Sequence, residues 1–173
     1  MKKISGFLFF LVTCFIAFTC GGNAENLKVG DKAPNFTLQD DNGTSYTLSS
    51  FRGKSPVVVY FYPKAGTPGC TTEACGIRDD WSKFKENHIE VLGISVDSKE
   101  ALKKFINKYS LNFPLLSDQD KVVSKEYGVL NKLGIDNRIT FIIDKEGYIT
   151  KIIRNVNVNT HASEVYKIAS KLL

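Results

Sequence analysis

What this chain lacks narrows its chemistry before any motif is read. It has no block of Lys or Arg, and its formal net charge of +5 falls to +3 without Lys2 and Lys3, leaving 21 basic against 18 acidic residues. So mild a surplus argues against nucleic acid as a main partner. No internal repeat, low-complexity tract or linker interrupts the sequence. With 43% hydrophobic and 24% charged residues in 173, it is long enough for one ordinary core and too short for two. Histidine is scarce: His88 and His161 stand far apart, and each reads as an ordinary helix-end residue, so no metal or organic cofactor is implied. No histidine stands beside a cysteine, which weighs against a cysteine-protease arrangement, because that chemistry needs a general base. The CxxC spacing usual in thiol–disulfide oxidoreductases is missing as well.

What is present begins with a targeting pattern. Met1-Lys2-Lys3 is a short positive segment, Ile4 to Thr19 is almost unbroken hydrophobic, and small polar residues follow to Ala24. The apolar run falls short of the roughly 20 residues of a spanning helix. Residues 1–24 are therefore expected to be a removed signal peptide, and residues 25–173 one domain. Cys20 before Gly21-Gly22 resembles a bacterial lipoprotein junction, although Phe18 and Thr19 depart from the small residues usual there. Cleavage after Ala24 is the competing exit. The expected location is the bacterial cell envelope, anchored through a lipid on Cys20 or otherwise soluble in the periplasm. Cys14 lies in the apolar run and reads as inert. The mature domain then keeps Cys70 and Cys75, and a lone nearby pair in an oxidising compartment is either a structural staple or a working redox pair.

Periodicity gives a coarse architecture. Residues 35–39 and 45–48 read as short strands around Asp40-Asp41-Asn42-Gly43, a hairpin turn signal. Residues 56–63 form a β-branched and aromatic run without alternation, the mark of a central strand buried on both faces. A helix follows over about 71–87, then a buried strand over 90–96 and a helix from Ser98 to Tyr109. A short extended piece at 113–116 and a helix over 119–127 come next. Residues 139–143 and 148–153 pair as a hairpin around Asp144 to Gly147, and the last helix runs over about 161–172. This order predicts an α/β fold, with a mixed central sheet, helices on both faces and an N-terminal β-hairpin.

Cys70 falls in the first turn of the helix that follows the central strand. Unpaired N–H groups and the positive end of the helix dipole favour an anion there, and the thiolate is the nucleophilic form of cysteine. Open α/β sheets also place their chemistry at the carboxyl ends of central strands. Cys75 lies five residues on, about 8.5 Å away between Cα atoms in an intact helix. Disulfides rarely span more than about 7 Å. A Cys70–Cys75 bond would require the turn to unwind, which suits a transient bond better than a staple. Gly76 would ease that unwinding, or else simply pack as a small residue.

Pro63-Lys64-Ala65-Gly66-Thr67-Pro68-Gly69-Cys70 resembles the peroxiredoxin signature, and Cys70-Thr71-Thr72-Glu73-Ala74-Cys75 is similar to the peroxiredoxin Q branch, also called bacterioferritin comigratory protein. Phe61-Tyr62-Pro63-Lys64, Arg78-Asp79 and Arg138-Ile139-Thr140-Phe141-Ile142-Ile143-Asp144 extend the likeness over nearly the whole mature chain. Gly66 departs from a position that is often polar in this branch, with loop flexibility as the expected effect. The resemblance implies a thioredoxin-like fold and a thiol peroxidase acting on hydrogen peroxide and organic hydroperoxides. It implies Cys70 as the peroxidatic thiolate and Cys75 as the resolving thiol, with a thioredoxin-like dithiol as reductant and a monomeric state. Thr67 would hydrogen-bond the thiolate and peroxide, with a plain turn or helix cap as the alternative. Pro63 would shape and shield the pocket, or merely end the strand. Arg138 would stabilise the thiolate and the departing oxygen. Glu73 would orient an arginine, unless it is a surface helix glutamate. Two other functions share these residues: a thioredoxin-like thiol–disulfide oxidoreductase and a non-catalytic redox-sensing module.

Overall fold

The computed structural model describes residues 27–173, so the expected signal segment and Cys20 lie outside the described residues. Seven strands form one mixed sheet in the order β2-β1-β5-β4-β3-β6-β7. The strands are β1 (Thr37–Gln39), β2 (Ser45–Thr47), β3 (Val57–Phe61), β4 (Glu90–Ser95), β5 (Leu115–Ser117), β6 (Ile139–Ile143) and β7 (Ile149–Ile153). The helices are α1 (Pro68–Asp79), α2 (Trp81–Glu86), α3 (Lys99–Tyr109), α4 (Val122–Glu126) and α5 (His161–Ala169). β3, β4 and β5 run parallel, whereas β6 lies antiparallel to β3 and β7 antiparallel to β6. β1 and β2 pair antiparallel at the far edge.

Every residue of β3 is buried, which is why its sequence shows no alternation. Val58, Tyr60 and Tyr62 point to one face with Cys70, Ala74, Ile77, Phe84, Leu102 and Val165, so α1, α2, α3 and α5 all pack there. Val57, Val59 and Phe61 point to the other face, covered by Val123 and Tyr127 around α4 and by Ala33, Phe36 and Leu48 of the N-terminal region. Gly93 stands opposite Tyr60 in the β3–β4 register, and a Cβ there would lie 2.6 Å from the Tyr60 hydroxyl oxygen. Glycine at this strand position makes room for the phenol.

The single helix expected over 71–87 is two. Asp80 adopts φ −92° and ψ 4°, its N–H turns back to the Gly76 carbonyl, and its carboxylate takes Lys83 Nζ at 2.6 Å. α1 also begins earlier than the periodicity suggests, because Pro68 stands at its first position with φ already set for a helix.

The segment between α4 and β6 carries a buried acid. Asp136 is fully buried, and neither carboxylate oxygen has a hydrogen-bond partner. The neighbouring Ser124 hydroxyl and the Val122, Val123 and Ser124 N–H groups are directed to Asp118 instead. Burial pushes the Asp136 carboxyl up to about 7; Ser124 and Lys121 oppose this only in part, and negative Asp118 and Asp97 add to it. The unfolded chain would ionise this group near pH 4 and the folded chain near 7, so the folded state loses stability as pH rises across that interval. From pH 4 to pH 8, Asp136→Asn should therefore gain up to about 4 kcal/mol relative to the unsubstituted protein in denaturant melts. A difference that stays constant with pH would mean that Asp136 titrates as an ordinary carboxylate.

Candidate active site

β3 ends at Phe61, and the chain passes Pro63 into the turn before α1. Asp97, just beyond β4, fixes this turn by accepting the Ala65 N–H at 2.7 Å and the Ser95 hydroxyl at 2.9 Å. Gly66 has φ +78°, a left-handed conformation that glycine adopts without steric cost. Thr67 is the N-cap residue by backbone geometry, but its hydroxyl does not cap the helix; it donates to the Lys64 carbonyl at 3.0 Å.

Cys70 is the third residue of α1 and is buried, with Cys75 half-buried on the same unbroken helix; both are free thiols. Cys70, Glu73, Ala74 and Ile77 form the buried stripe of α1, at the spacing expected of one helix face. Glu73 thus lies inside the protein, 1% exposed, rather than on the helix surface. Gly76 faces α5, where a Cβ would stand 3.7 Å from Ala162 Cβ, an ordinary contact.

Arg138 reaches this stripe from the chain entering β6. Its Nη2 donates to the Cys70 sulfur at 3.2 Å, and its Nη1 pairs with Glu73 Oε2. Burial alone would lower the arginine pKa, but the Glu73 charge and the bond to Cys70 outweigh it, and the net shift is upward. The guanidinium therefore stays charged beside the sulfur. The second Glu73 oxygen, Oε1, lies 3.0 Å from His161 Nδ1, and the ring's other nitrogen lies 2.8 Å from Thr140 Oγ1. Tyr60 packs its ring edge-on to this imidazole at 5.8 Å between centroids and stacks on Tyr62. The hydroxyls of both tyrosines are buried without a partner, and burial raises both pKa values.

The structure thus brings together Cys70, Arg138 and Glu73, places Cys75 five residues further along α1, and leaves Thr67 and Pro63 in the segment between β3 and α1. His161 reads from the sequence as an ordinary helix-end residue; it is fully buried, and it meets the site acid. The signal that reveals it is spacing. His161, Val165 and Ala169 recur every four residues and form the buried face of α5.

Comparison with known proteins gives the family. The AhpC/TSA family model matches residues 29–152. The peroxiredoxin Bcp of Escherichia coli strain K12 is 44% identical over 143 residues, covering 78% of this chain and 90% of that protein. The chloroplastic peroxiredoxin Q of Sedum lineare is 45% identical over 146 residues, 83% of this chain and 78% of that protein. Among solved structures, peroxidoxin BcpB from Mycobacterium tuberculosis superposes with a TM-score of 0.78 at 35% identity, over 86% of this chain and 99% of that one. The Xanthomonas campestris bacterioferritin comigratory protein, whose alkyl peroxide reduction activity is described, gives 0.73 at 31% identity over 79% and 90%. By sequence and by fold alike, this chain belongs to the AhpC/TSA family, as a peroxiredoxin of the bacterioferritin comigratory protein and peroxiredoxin Q branch.

Proposed function

We propose that this thiol peroxidase reduces hydrogen peroxide and organic hydroperoxides through Cys70 and Cys75. The observation that carries the reading is the Arg138 guanidinium, 3.2 Å from the Cys70 sulfur and anchored from behind by Glu73. The Cys70 thiolate attacks the terminal oxygen of a hydroperoxide, the O–O bond breaks, and two electrons pass from sulfur to oxygen. Cys70 becomes a sulfenic acid, and the departing alkoxide or hydroxide takes a proton to leave as alcohol or water. Arg138 offers positive charge to the thiolate and then to the departing oxygen. Thr67, whose hydroxyl hydrogen goes to Lys64, binds the peroxide after turning that hydroxyl inward, and Pro63 shields the pocket.

The Cys75 sulfur then attacks the sulfenic sulfur, forming the S–S bond; the released hydroxyl and the Cys75 thiol proton leave as water. The intact helix holds the two Cα atoms about 8.5 Å apart, so the turn between them must unwind first. A thioredoxin-like dithiol reduces the disulfide, and the enzyme works as a monomer. The N-terminal segment serves as a signal for export to the cell envelope, cleaved before Cys20 so that Cys20 becomes the lipid-carrying first residue. Mass spectrometry of the envelope fraction should show a diacylated or triacylated Cys20 at the N-terminus; an unmodified start at Glu25 would instead mean a soluble periplasmic protein.

Cys70→Ser should abolish peroxide consumption. Cys75→Ser should consume about one equivalent at an unchanged initial rate, followed by no turnover with a dithiol, as read by stopped-flow and intact mass. Reduction of protein disulfides with peroxide left untouched would instead favour a thioredoxin-like oxidoreductase, and continued turnover of Cys75→Ser would remove Cys75 as the resolving thiol.

A further inference from the structure

The roles proposed above stop at Glu73, but the chain of polar contacts does not. Glu73 Oε2 is taken by Arg138, and the polar group that approaches Oε1 is His161 Nδ1, at 3.0 Å. The ring N–H direction misses the oxygen, so this is a close polar contact rather than an aligned hydrogen bond. On the far side of the ring, Nε2 stands 2.8 Å from the Thr140 hydroxyl. His161, Glu73 and Thr140 are all buried, and they come from α5, α1 and β6.

The partners fix where the ring hydrogen sits. A carboxylate can only accept, so Nδ1 must carry a hydrogen to face it, whereas the Thr140 hydroxyl can either donate or accept. With Nδ1–H towards Glu73, a neutral ring satisfies Thr140 by accepting its hydrogen.

We infer that His161 is a positioning residue for the peroxide reaction: through Glu73 it sets the Arg138 guanidinium on the Cys70 sulfur. This inference rests on the peroxidase reading of Cys70. Without the ring, Oε1 would lose its close polar contact with Nδ1. Glu73 would then swing both oxygens onto Arg138, which moves the guanidinium off the sulfur. The same contact also restrains resolution. Glu73 lies between Cys70 and Cys75, inside the turn that must unwind, so His161 and Arg138 both hold that turn in helical form. Loosening one grip slows the first step and eases the second, a pair of opposite effects that general loss of packing at the pocket would not single out.

Stopped-flow oxidation of the reduced protein by hydrogen peroxide, together with the rate of Cys70 alkylation by iodoacetamide, tests this. His161→Leu, of similar volume, should slow Cys70 oxidation and alkylation ten- to a hundredfold while speeding disulfide formation. His161→Asn, whose amide can stand near the Nδ1 position, should recover most of that loss. Thr140→Val, which keeps the ring and removes its far partner, should slow oxidation three- to tenfold. If His161→Leu does not fold, the Asn and Val variants decide the matter. Rates within twofold of the unsubstituted protein in the folded variants, or an Asn variant as slow as Leu, would overturn the inference. If the unsubstituted protein fails to react with peroxide, the peroxidase reading fails, while alkylation rates still judge His161.

Discussion

The buried pair of Glu73 and Arg138 is the contact on which the rest of the site depends. A carboxylate taken wholly out of water costs several kcal/mol unless a partner compensates it, and here the compensation is a guanidinium that also touches the reactive sulfur. Topology makes the meeting unavoidable. In the β3–β6 register Ile139 stands opposite Phe61, so Arg138, one residue before Ile139, enters the sheet beside the point where the chain leaves β3 for α1. Cys70 at the start of α1 and Glu73 one turn deeper are thereby presented to the same guanidinium.

Under the proposed chemistry, this arrangement sets two requirements against each other. Oxidation needs the α1 turn intact, because the helix start holds Cys70 under Arg138. Resolution needs the same turn undone, because Cys75 is too far round the helix to bond. Glu73 sits inside the contested segment, so the ion pair that aligns the sulfur also raises the cost of unwinding. Gly76 of α1 faces Ala162 of α5, and α5 carries His161 to the back of the pair. The reduced site is held from three sides, by β6, α5 and the Asp97-braced turn.

Much of this was legible in the residues. The unbroken apolar run before Pro63, the helix start at Cys70 and the closing hairpin around Asp144 to Gly147 announced a mixed sheet with chemistry at the end of β3. The five-residue spacing of the thiols placed both on one helix, too far apart to bond while it stays helical. What the sequence left open were contacts made across long separations. Glu73 on Arg138 spans 65 residues, and a glutamate in a polar stretch carries no local sign of its burial. Its place on the stripe of Cys70, Ala74 and Ile77 was the available clue. His161 was harder, since a residue at a helix start reads as solvated until its spacing with Val165 and Ala169 is noticed. The break at Asp80 was missed because apolar spacing continues across it; the local backbone, not the pattern, ends α1 there.

The most direct test of this account is the second-order rate constant for Cys70 oxidation by hydrogen peroxide in Glu73→Gln, which keeps the shape of the side chain and removes its charge. If the carboxylate is what holds Arg138 on the sulfur, the rate should fall at least tenfold while the fold survives. A rate within twofold of the unsubstituted protein would show that Arg138 finds Cys70 without it.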